Sequence, residues 1–143
     1  MTERTRLSLC ARSFSGWEAL RVAVAGALAV PVEQVRGLEE PFDPAVRIVG
    51  KAMVMGFRLS IDLYIDPLRA KVPRLDVLAV ELARRLGVDI AHHDGSISPY
   101  SYVLVRPNGE RLALDEDPDA DPSADGLMLD ETTGSLRPLR PLP

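Results

Sequence analysis

Residues 57–66 alternate strictly between apolar and polar side chains, and this pattern constrains the fold more than any other in the sequence. The apolar members are Phe57, Leu59, Ile61, Leu63 and Ile65. The polar members are Arg58, Ser60, Asp62, Tyr64 and Asp66. Because successive side chains of a β-strand point to opposite faces of its sheet, a period of two predicts a strand with one face in the core and the other in solvent.

The residues just before this strand, 47–54, are also rich in β-forming side chains. One strand covering all of 46–66 would be far longer than strands usually are, so we expect two strands joined by a hairpin turn at Met55 and Gly56. The alternative is a single long strand in which Gly56 forms a bulge.

Two segments have the three- and four-residue spacing of an amphipathic helix. The apolar positions of the first are Trp17, Leu20, Val24 and Leu28. Those of the second are Leu75, Leu78, Leu82 and Leu86. Ser15 and Glu18 have the spacing of a capping box at the start of the first helix, and Gly87 is placed to end the second.

Four further segments have strand patterns, and the last two are joined by a turn at residues 107–110. They are 6–12, 88–91, 100–106 and 112–115. The element order is then β-α-β-β-α-β with one or two extra C-terminal strands. We therefore predict an α+β fold of the split βαβ type, with two helices packed on one face of a mainly antiparallel sheet. Many unrelated functions use this architecture, so it does not indicate a function by itself.

Charge divides the chain into two regions near residue 114. Residues 1–114 contain 15 Lys and Arg against 13 Asp and Glu, whereas residues 115–143 contain 2 Arg against 8 acidic residues. The second region is also rich in proline and too poor in apolar surface to fold alone. We predict a single α+β domain at 1–114 and an acidic, largely irregular tail at 115–143, from which only residues 127–129 dock back onto the domain.

Composition argues against several classes of protein. Cys10 is the single cysteine, so no internal disulfide points to an oxidising compartment. The longest apolar run, 22–32, is interrupted by Gly26 and Pro31 and is too short to span a membrane. The nearly neutral folded part lacks the basic surface of a nucleic-acid-binding protein. We expect a cytoplasmic protein that binds neither nucleic acid nor membrane.

His92, His93 and Asp94 are the candidate catalytic residues, because they include both histidines of the chain. Adjacent residues on an extended segment point to opposite sides, so the two imidazoles are not expected to chelate one ion. A polar loop over residues 92–99 is the competing interpretation. No His or Cys spacing elsewhere would complete a metal site, and the sequence predicts no metal and no cofactor.

Two other polar groups are weaker candidates. Asp62 and Asp66 share a predicted strand face, but four residues along a strand separate them by about 13 Å, too far for direct acid–base work as a pair. Arg69, Lys71 and Arg74 lie at the start of the second helix, where an anion such as phosphate can bind. No glycine-rich loop accompanies them, which favours a solvated loop.

The sequence favours a non-enzymatic protein-binding module, for example an inhibitor of the kind that bacterial immunity proteins represent. Its binding surface would be a polar sheet face together with the acidic tail. The expected binding residues are Arg58, Asp62, Tyr64, Tyr100 and Tyr102. The alternative is a small hydrolase or transferase that uses His92 or His93 with Asp94 or Asp62. A third possibility is a homodimer that pairs through a free sheet edge at 46–54 or 112–115.

Overall fold

The computed structural model of this chain describes residues 3–38, 41–120, 126–132 and 135–142. The helices are α1 (Trp17–Leu28) and α2 (Leu75–Leu86), and a short 3₁₀ turn covers Val32–Gln34. The strands are β1 (Thr5–Ala11), β2 (Val35–Gly37), β3 (Val46–Ala52), β4 (Met55–Gly56), β5 (Leu59–Ile65), β6 (Ile90–His93), β7 (Ser101–Val105), β8 (Arg111–Asp115), β9 (Gly126–Leu127) and β10 (Arg137–Pro138).

Eight strands form one sheet in the order β10-β8-β7-β6-β1-β5-β3-β2. The four central strands, β6-β1-β5-β3, are connected through α1 and α2 as two interleaved βαβ units. Only the β2–β3 pairing in this sheet is parallel. The predicted split βαβ arrangement and the mainly antiparallel sheet are thus confirmed.

Both helices pack on one face of this sheet, which we call the helix face. The side chains buried between the two layers include Leu20, Val24, Leu28, Leu78, Leu82, Leu9, Ile61, Leu63, Ile65 and Ile90. They come from the apolar positions that the helical and strand spacing predicted. Aliphatic burial of this extent is the main favourable term that holds the helices on the sheet. The predicted α+β fold is confirmed.

The hairpin between β3 and β5 is wider than the two-residue turn expected at Met55 and Gly56. The strands pair from Val46 opposite Ile65 to Ala52 opposite Leu59, and residues 53–58 connect them. Within that connection β4 pairs in parallel with β9, so its backbone hydrogen bonds go to a distant part of the chain. Phe57 follows this excursion and packs on the opposite side of the sheet from Leu59, so its predicted place in the alternation is wrong.

The start of α1 also differs from the prediction. The helix begins at Trp17 with Gly16 as its N-cap, and no side chain caps it. Glu18 instead approaches Arg21 within 3.3 Å, so the expected capping box with Ser15 does not form. Trp17 is 38% exposed, because it lies at the first helical position beyond the end of the sheet. The end of α2 is as predicted, with Gly87 in the left-handed conformation that suits a residue without a side chain.

The face of the sheet opposite the helices, the second face, is apolar along β6, β7 and β8. The described residues after position 125 form a C-terminal segment, and part of it lies over these strands. The resulting cluster consists of Phe57, Ala91, Leu104, Leu112, Leu114, Leu127 and Leu129. We call this the covered half of the second face. The expected docking of residues 127–129 is confirmed.

The division into a domain and a tail at residue 114 stays a prediction. Residues 121–125, 133, 134 and 143 of the predicted tail lie outside the described residues. The described remainder adds β10 to the edge of the sheet beside β8, with Arg137 opposite Ala113.

Arg12, just after β1, joins the C-terminal segment to the rest of the sheet. Its guanidinium donates to Asp89 at 3.0 and 3.1 Å and to the carboxylate of Glu131 at 2.9 Å, with a second, shorter bond to the same group. The guanidinium carbon also lies 4.6 Å from the centre of the Phe57 ring. One side chain therefore bridges the end of β1, the start of β6 and the C-terminal segment.

Candidate functional site

The second face of β1, β5 and β3 has polar side chains where the covered half has leucines, and we call it the open half. Its side chains stand in three cross-strand rows: Arg6, Tyr64 and Arg47; Ser8, Asp62 and Val49; Cys10, Ser60 and Lys51. All nine are half-buried or exposed. The polar sheet face expected from the alternation in 57–66 is therefore present and extends over three strands.

Asp62 is the centre of hydrogen bonding on the open half. Its Oδ1 accepts from the Arg6 guanidinium at 3.1 Å and from the Ser8 hydroxyl at 2.5 Å. The Arg6 guanidinium also lies 5.9 Å from the centre of the Tyr64 ring. The Asp62 hydrogen bond and charge raise the pKa of Arg6. These contacts hold a charged and an aromatic side chain in place on the sheet surface.

Asp66, the other carboxylate of that alternation, does not share this face. It follows β5 and is buried, with its oxygens accepting from Arg69 at 2.8 Å and from the Leu68 amide at 3.0 Å. The Arg69 and Leu68 bonds lower the pKa of Asp66. Asp62 and Asp66 therefore do not share a face as predicted, because Asp66 closes the turn after the strand.

Cys10 lies at the border between the open and covered halves. Burial and the nearby Asp62 carboxylate raise the pKa of its thiol to about 11. A thiol with such a pKa is protonated at neutral pH and is a poor nucleophile. Cys10 is therefore a structural side chain that packs against the apolar cluster of the covered half.

The other predicted binding residues are separated from the open half. Arg58 is exposed in the 53–58 connection, and Tyr100 is 61% exposed in the loop before β7. Tyr102 is half-buried against the covered half and meets the His93 ring edge-on at 5.8 Å. Of the five predicted residues, Asp62 and Tyr64 therefore stand together, and the remaining three lie at different places.

Both histidines lie in β6, so the predicted loop over 92–99 begins two residues too early and the strand predicted at 88–91 ends too early. As expected for an extended segment, the two imidazoles point to opposite faces. His93 lies opposite Tyr102 on the second face. His92 lies on the helix face, is 5% exposed, and has the pair partner Val103.

His93 and Asp94 serve the loop that follows β6. The Nδ1 atom of His93 accepts from the Gly95 amide at 3.0 Å, which leaves its Nε2 as the donor to the Ser98 carbonyl at 2.6 Å. Asp94 accepts from the Ser96 amide at 2.9 Å. Both ring nitrogens and the carboxylate thus have structural partners, which supports the polar-loop interpretation for these two residues.

His92 has different chemistry because one of its ring nitrogens has no partner. Nδ1 lies 2.7 Å from the His93 carbonyl, which can only accept, so Nδ1 carries the proton. Nε2 is buried with no hydrogen bond in the part of the chain that the structure describes. Burial lowers the pKa of His92, Arg111 adds to this effect, and the His93 hydrogen bond opposes it. A neutral imidazole presents Nε2 as a hydrogen bond acceptor or a base.

A surface pocket of about 330 Å³ lies beside His92, at the N-terminal end of α2. Its lining residues are Arg74, Leu75, Asp76, His92, His93, Asp94, Gly95, Val103 and Arg111. Two carboxylates line the pocket with His92, the predicted Asp94 and also Asp76, whereas the predicted Asp62 stands on the opposite face of the sheet. Sequence reasoning missed Asp76 and Arg111. They are distant from His92 along the chain, and only the pairing of β6, β7 and β8 beside α2 brings them together.

Of the three predicted phosphate-binding residues, only Arg74 lines this pocket. Arg69 is turned toward Asp66 and the carbonyls of Asp43 and Pro44, at 2.7 to 2.8 Å. Lys71 lines a separate pocket with residues of α1. The three side chains therefore do not form one anion site, since Arg69 holds the loop between β5 and α2 together.

No group of three or more His, Cys, Asp or Glu side chains among the described residues could hold a metal ion. Within the same residues, neither helix is long and apolar enough to cross a membrane. None of the protein-family models, curated proteins or solved structures compared with the chain matches it. The open half and the pocket beside His92 are therefore the two candidate functional sites.

Proposed function

We propose that this chain is a non-enzymatic protein-binding module whose contact surface is the open half of the second face. The observation that carries the proposal is the uneven cover of this face. The chain's own C-terminal segment buries the second face of β6, β7 and β8, but the three rows on β1, β5 and β3 stay half-buried or exposed. One side of the sheet is thus available as a flat surface about three strands wide.

The chemistry of this surface suits an acidic partner. Arg6, Arg47 and Lys51 are cationic, and Asp62 is the single carboxylate of the three rows. Arginine and tyrosine are also the residue types enriched in the contact areas of protein complexes. Because Arg6 and Tyr64 are already held by neighbours, less side-chain freedom is lost when a partner binds.

The acidic residues after position 114 offer a second and separate contact for a basic partner. Among those described, Asp115 lies 3.8 Å from Arg137, and Asp119 is exposed. An inhibitor of a basic protein, comparable to an immunity protein, would bind through these carboxylates and not through the open half. The two surfaces therefore predict partners of opposite charge.

The test is affinity capture from an extract of the native host at low and at high salt. The wild-type chain is compared with the double variant Lys51→Glu, Tyr64→Ala. The control is Arg84→Glu, which makes the same charge reversal at a 59% exposed position on α2. We expect an acidic, stoichiometric partner that is retained by the wild type and the control, is lost by the double variant, and is weakened by salt.

Recovery of the same partners by all three proteins would exclude the open half. Recovery of no stoichiometric partner would exclude the binding-module proposal as a whole. A basic partner that persists in the double variant would instead identify the acidic residues as the contact.

A small hydrolase or transferase is the second candidate, and the pocket beside His92 and Asp76 is the observation that favours it. The His92 Nε2 atom could act there as a general base. No Ser, Thr or Cys is among the lining residues of this pocket, so a covalent mechanism would have to use a histidine or a carboxylate as its nucleophile. Turnover of ester or phosphoester substrates that disappears in His92→Gln would establish this candidate in place of the first.

A further inference from the structure

The pocket beside His92 combines three features, each of which presents a polar group that lacks a partner among the described residues. The first is the N-terminus of α2, a helix of 12 residues whose N-cap, Arg74, provides no side-chain cap. The first amides of a helix have no partner within it, and they present partial positive charge. Leu75 and Asp76, the first two helical residues, line the pocket.

The second feature is the guanidinium of Arg111, which enters the pocket from β8. Its Nη1 donates to the Arg140 carbonyl at 2.9 Å, and its buried Nε has no hydrogen bond partner among the described residues. No carboxylate of the described chain lies within ion-pair distance of it. Asp76, the nearest candidate in the pocket, is engaged by Arg74 at 2.5 Å and by the Val77 amide at 2.8 Å. Arg111 thus keeps a positive charge that no described group neutralises at close range.

The third feature is His92, which is 95% buried and has its unprotonated Nε2 without a partner. A buried polar atom left unpaired costs about 1–3 kcal/mol, so such atoms usually have a function or an undescribed partner. Nε2 requires a hydrogen bond donor, whereas the Arg111 Nε and the helix amides require acceptors. An oxyanion that still carries one acidic proton would satisfy all of them with a single group.

We propose that this pocket binds a phosphate group, either inorganic phosphate or the terminal group of a phosphomonoester. Its anionic oxygens accept from the Arg111 guanidinium and from the amides at the start of α2. Its remaining P–OH group donates to the Nε2 atom of His92. This site lies on the helix face, away from the open half, and does not depend on protein binding there.

Sulfate is the matched control ligand, because it is tetrahedral and anionic like phosphate but carries no proton at neutral pH. Binding to the full-length protein is measured calorimetrically with inorganic phosphate, phenyl phosphate and sulfate at about pH 5.5, where most of both phosphate compounds carries the acidic proton that sulfate lacks. A hydrogen bond that involves a charged group contributes about 1.5–3 kcal/mol, which corresponds to about tenfold or more in affinity. We expect phosphate to bind at least about tenfold more tightly than sulfate. Tighter binding of phenyl phosphate than of inorganic phosphate identifies a monoester as the ligand, and the reverse order identifies the free ion.

The ring nitrogens of His92 provide a direct readout that needs no variant. Nitrogen NMR of the wild-type protein should show the Nε2 resonance of His92 shifting on phosphate addition by more than either ring nitrogen of His93, which also lines the pocket but has partners for both nitrogens. Arg111→Gln and His92→Gln should weaken phosphate binding about tenfold or more while Arg84→Gln, at the far end of α2, leaves it unchanged. Thermal unfolding of each variant establishes that it is folded.

Equal affinity for phosphate and sulfate would overturn the proposal, because the proton on the ligand would then be irrelevant. So would an unshifted His92 resonance at saturating phosphate. The absence of any measurable phosphate binding would also overturn it and would assign the orphaned Nε2 to an ordered water.

Discussion

The two halves of the second face belong to the same sheet, but one half is buried under another part of the chain and the other half faces solvent. The half on β6, β7 and β8 presents leucines and is covered by the C-terminal segment. The half on β1, β5 and β3 presents three rows of polar side chains and is not covered in this way. The C-terminal segment thus completes a hydrophobic core over the covered half, which ends at Cys10. The open half, on the other side of Cys10, is available for contact with a partner.

Shortening a buried side chain in the covered half should cause the largest loss in the free energy of unfolding. Leu104 is fully buried between β6 and β8, so Leu104→Ala should lower the free energy of unfolding by about 2–5 kcal/mol. Val49→Ala, in the open half, should cost about 1 kcal/mol or less. Urea denaturation of both variants checks this. Equal losses would mean that the two halves are equally buried and that the comparison is wrong.

A substitution that disturbs the contact between β4 and β9 should cause the next largest loss in the free energy of unfolding. A Cβ atom on Gly126 would lie 1.9 Å from the Met55 carbonyl oxygen, so Gly126→Ala must push the two strands apart. We expect a loss of about 1–3 kcal/mol and faster amide exchange in the C-terminal segment. Gly50→Ala is the control, because its Cβ would meet only Leu59 Cδ1, at 3.6 Å. Unchanged exchange in Gly126→Ala would show that β9 is not held as described.

Removal of the Arg12 side chain that bridges β1, β6 and the C-terminal segment should lower the free energy of unfolding by less than Gly126→Ala does. Arg12→Gln loses the ion pairs to Asp89 and Glu131, which are about one-third exposed and thus contribute only about 1 kcal/mol together. The expected signature is local: amide exchange accelerates around residues 126–132 and stays unchanged in α1. Uniform acceleration across the chain would instead make Arg12 part of the main core.

The pH dependence of the free energy of unfolding should report on the burial of His92. Because burial lowers the pKa of His92 below its ordinary 6.5, the unfolded chain binds the proton more readily than the folded one. The free energy of unfolding should therefore be constant above about pH 6.5 and fall as the pH drops below it. His92→Gln should flatten this slope. Denaturation midpoints between about pH 5 and 7 measure it, and an unchanged slope in His92→Gln would contradict it.

Charge reversal on the open half should have the smallest effect on stability. Lys51→Glu changes an exposed side chain at the end of β3 and should alter the free energy of unfolding by about 0.5 kcal/mol or less. The same variant should reverse any preference for an acidic partner. A large loss of stability would show that the open half is part of the folding core.

The central layers of this fold could be predicted from the sequence because local spacing determines them. The alternation in 59–65 and the leucine spacing of α2 each select one buried face, and the structure confirms both. The place of Phe57 could not be predicted. The pairing of β4 with β9 diverts the chain just before it, and that pairing joins segments about 70 residues apart.

The candidate sites divide in the same way. Asp62 and Tyr64 share a face because two residues along a strand always do. The pocket, by contrast, combines Asp76, His92 and Arg111 from three different elements. They are brought together only by the order of the strands and by the position of α2 on the sheet. The spacing of residues within one segment specifies neither.

The late position of Glu131 in the chain has a consequence for synthesis on the ribosome. The leucines of β7 and β8 leave the exit tunnel before Leu127, Leu129 and Glu131, which cover and fasten them. Until these covering residues have emerged, a nascent chain exposes an apolar surface on β7 and β8 that other nascent chains could also contact. Termination before Leu127 would therefore release a molecule that keeps the helix layer but leaves the apolar surface of β7 and β8 exposed.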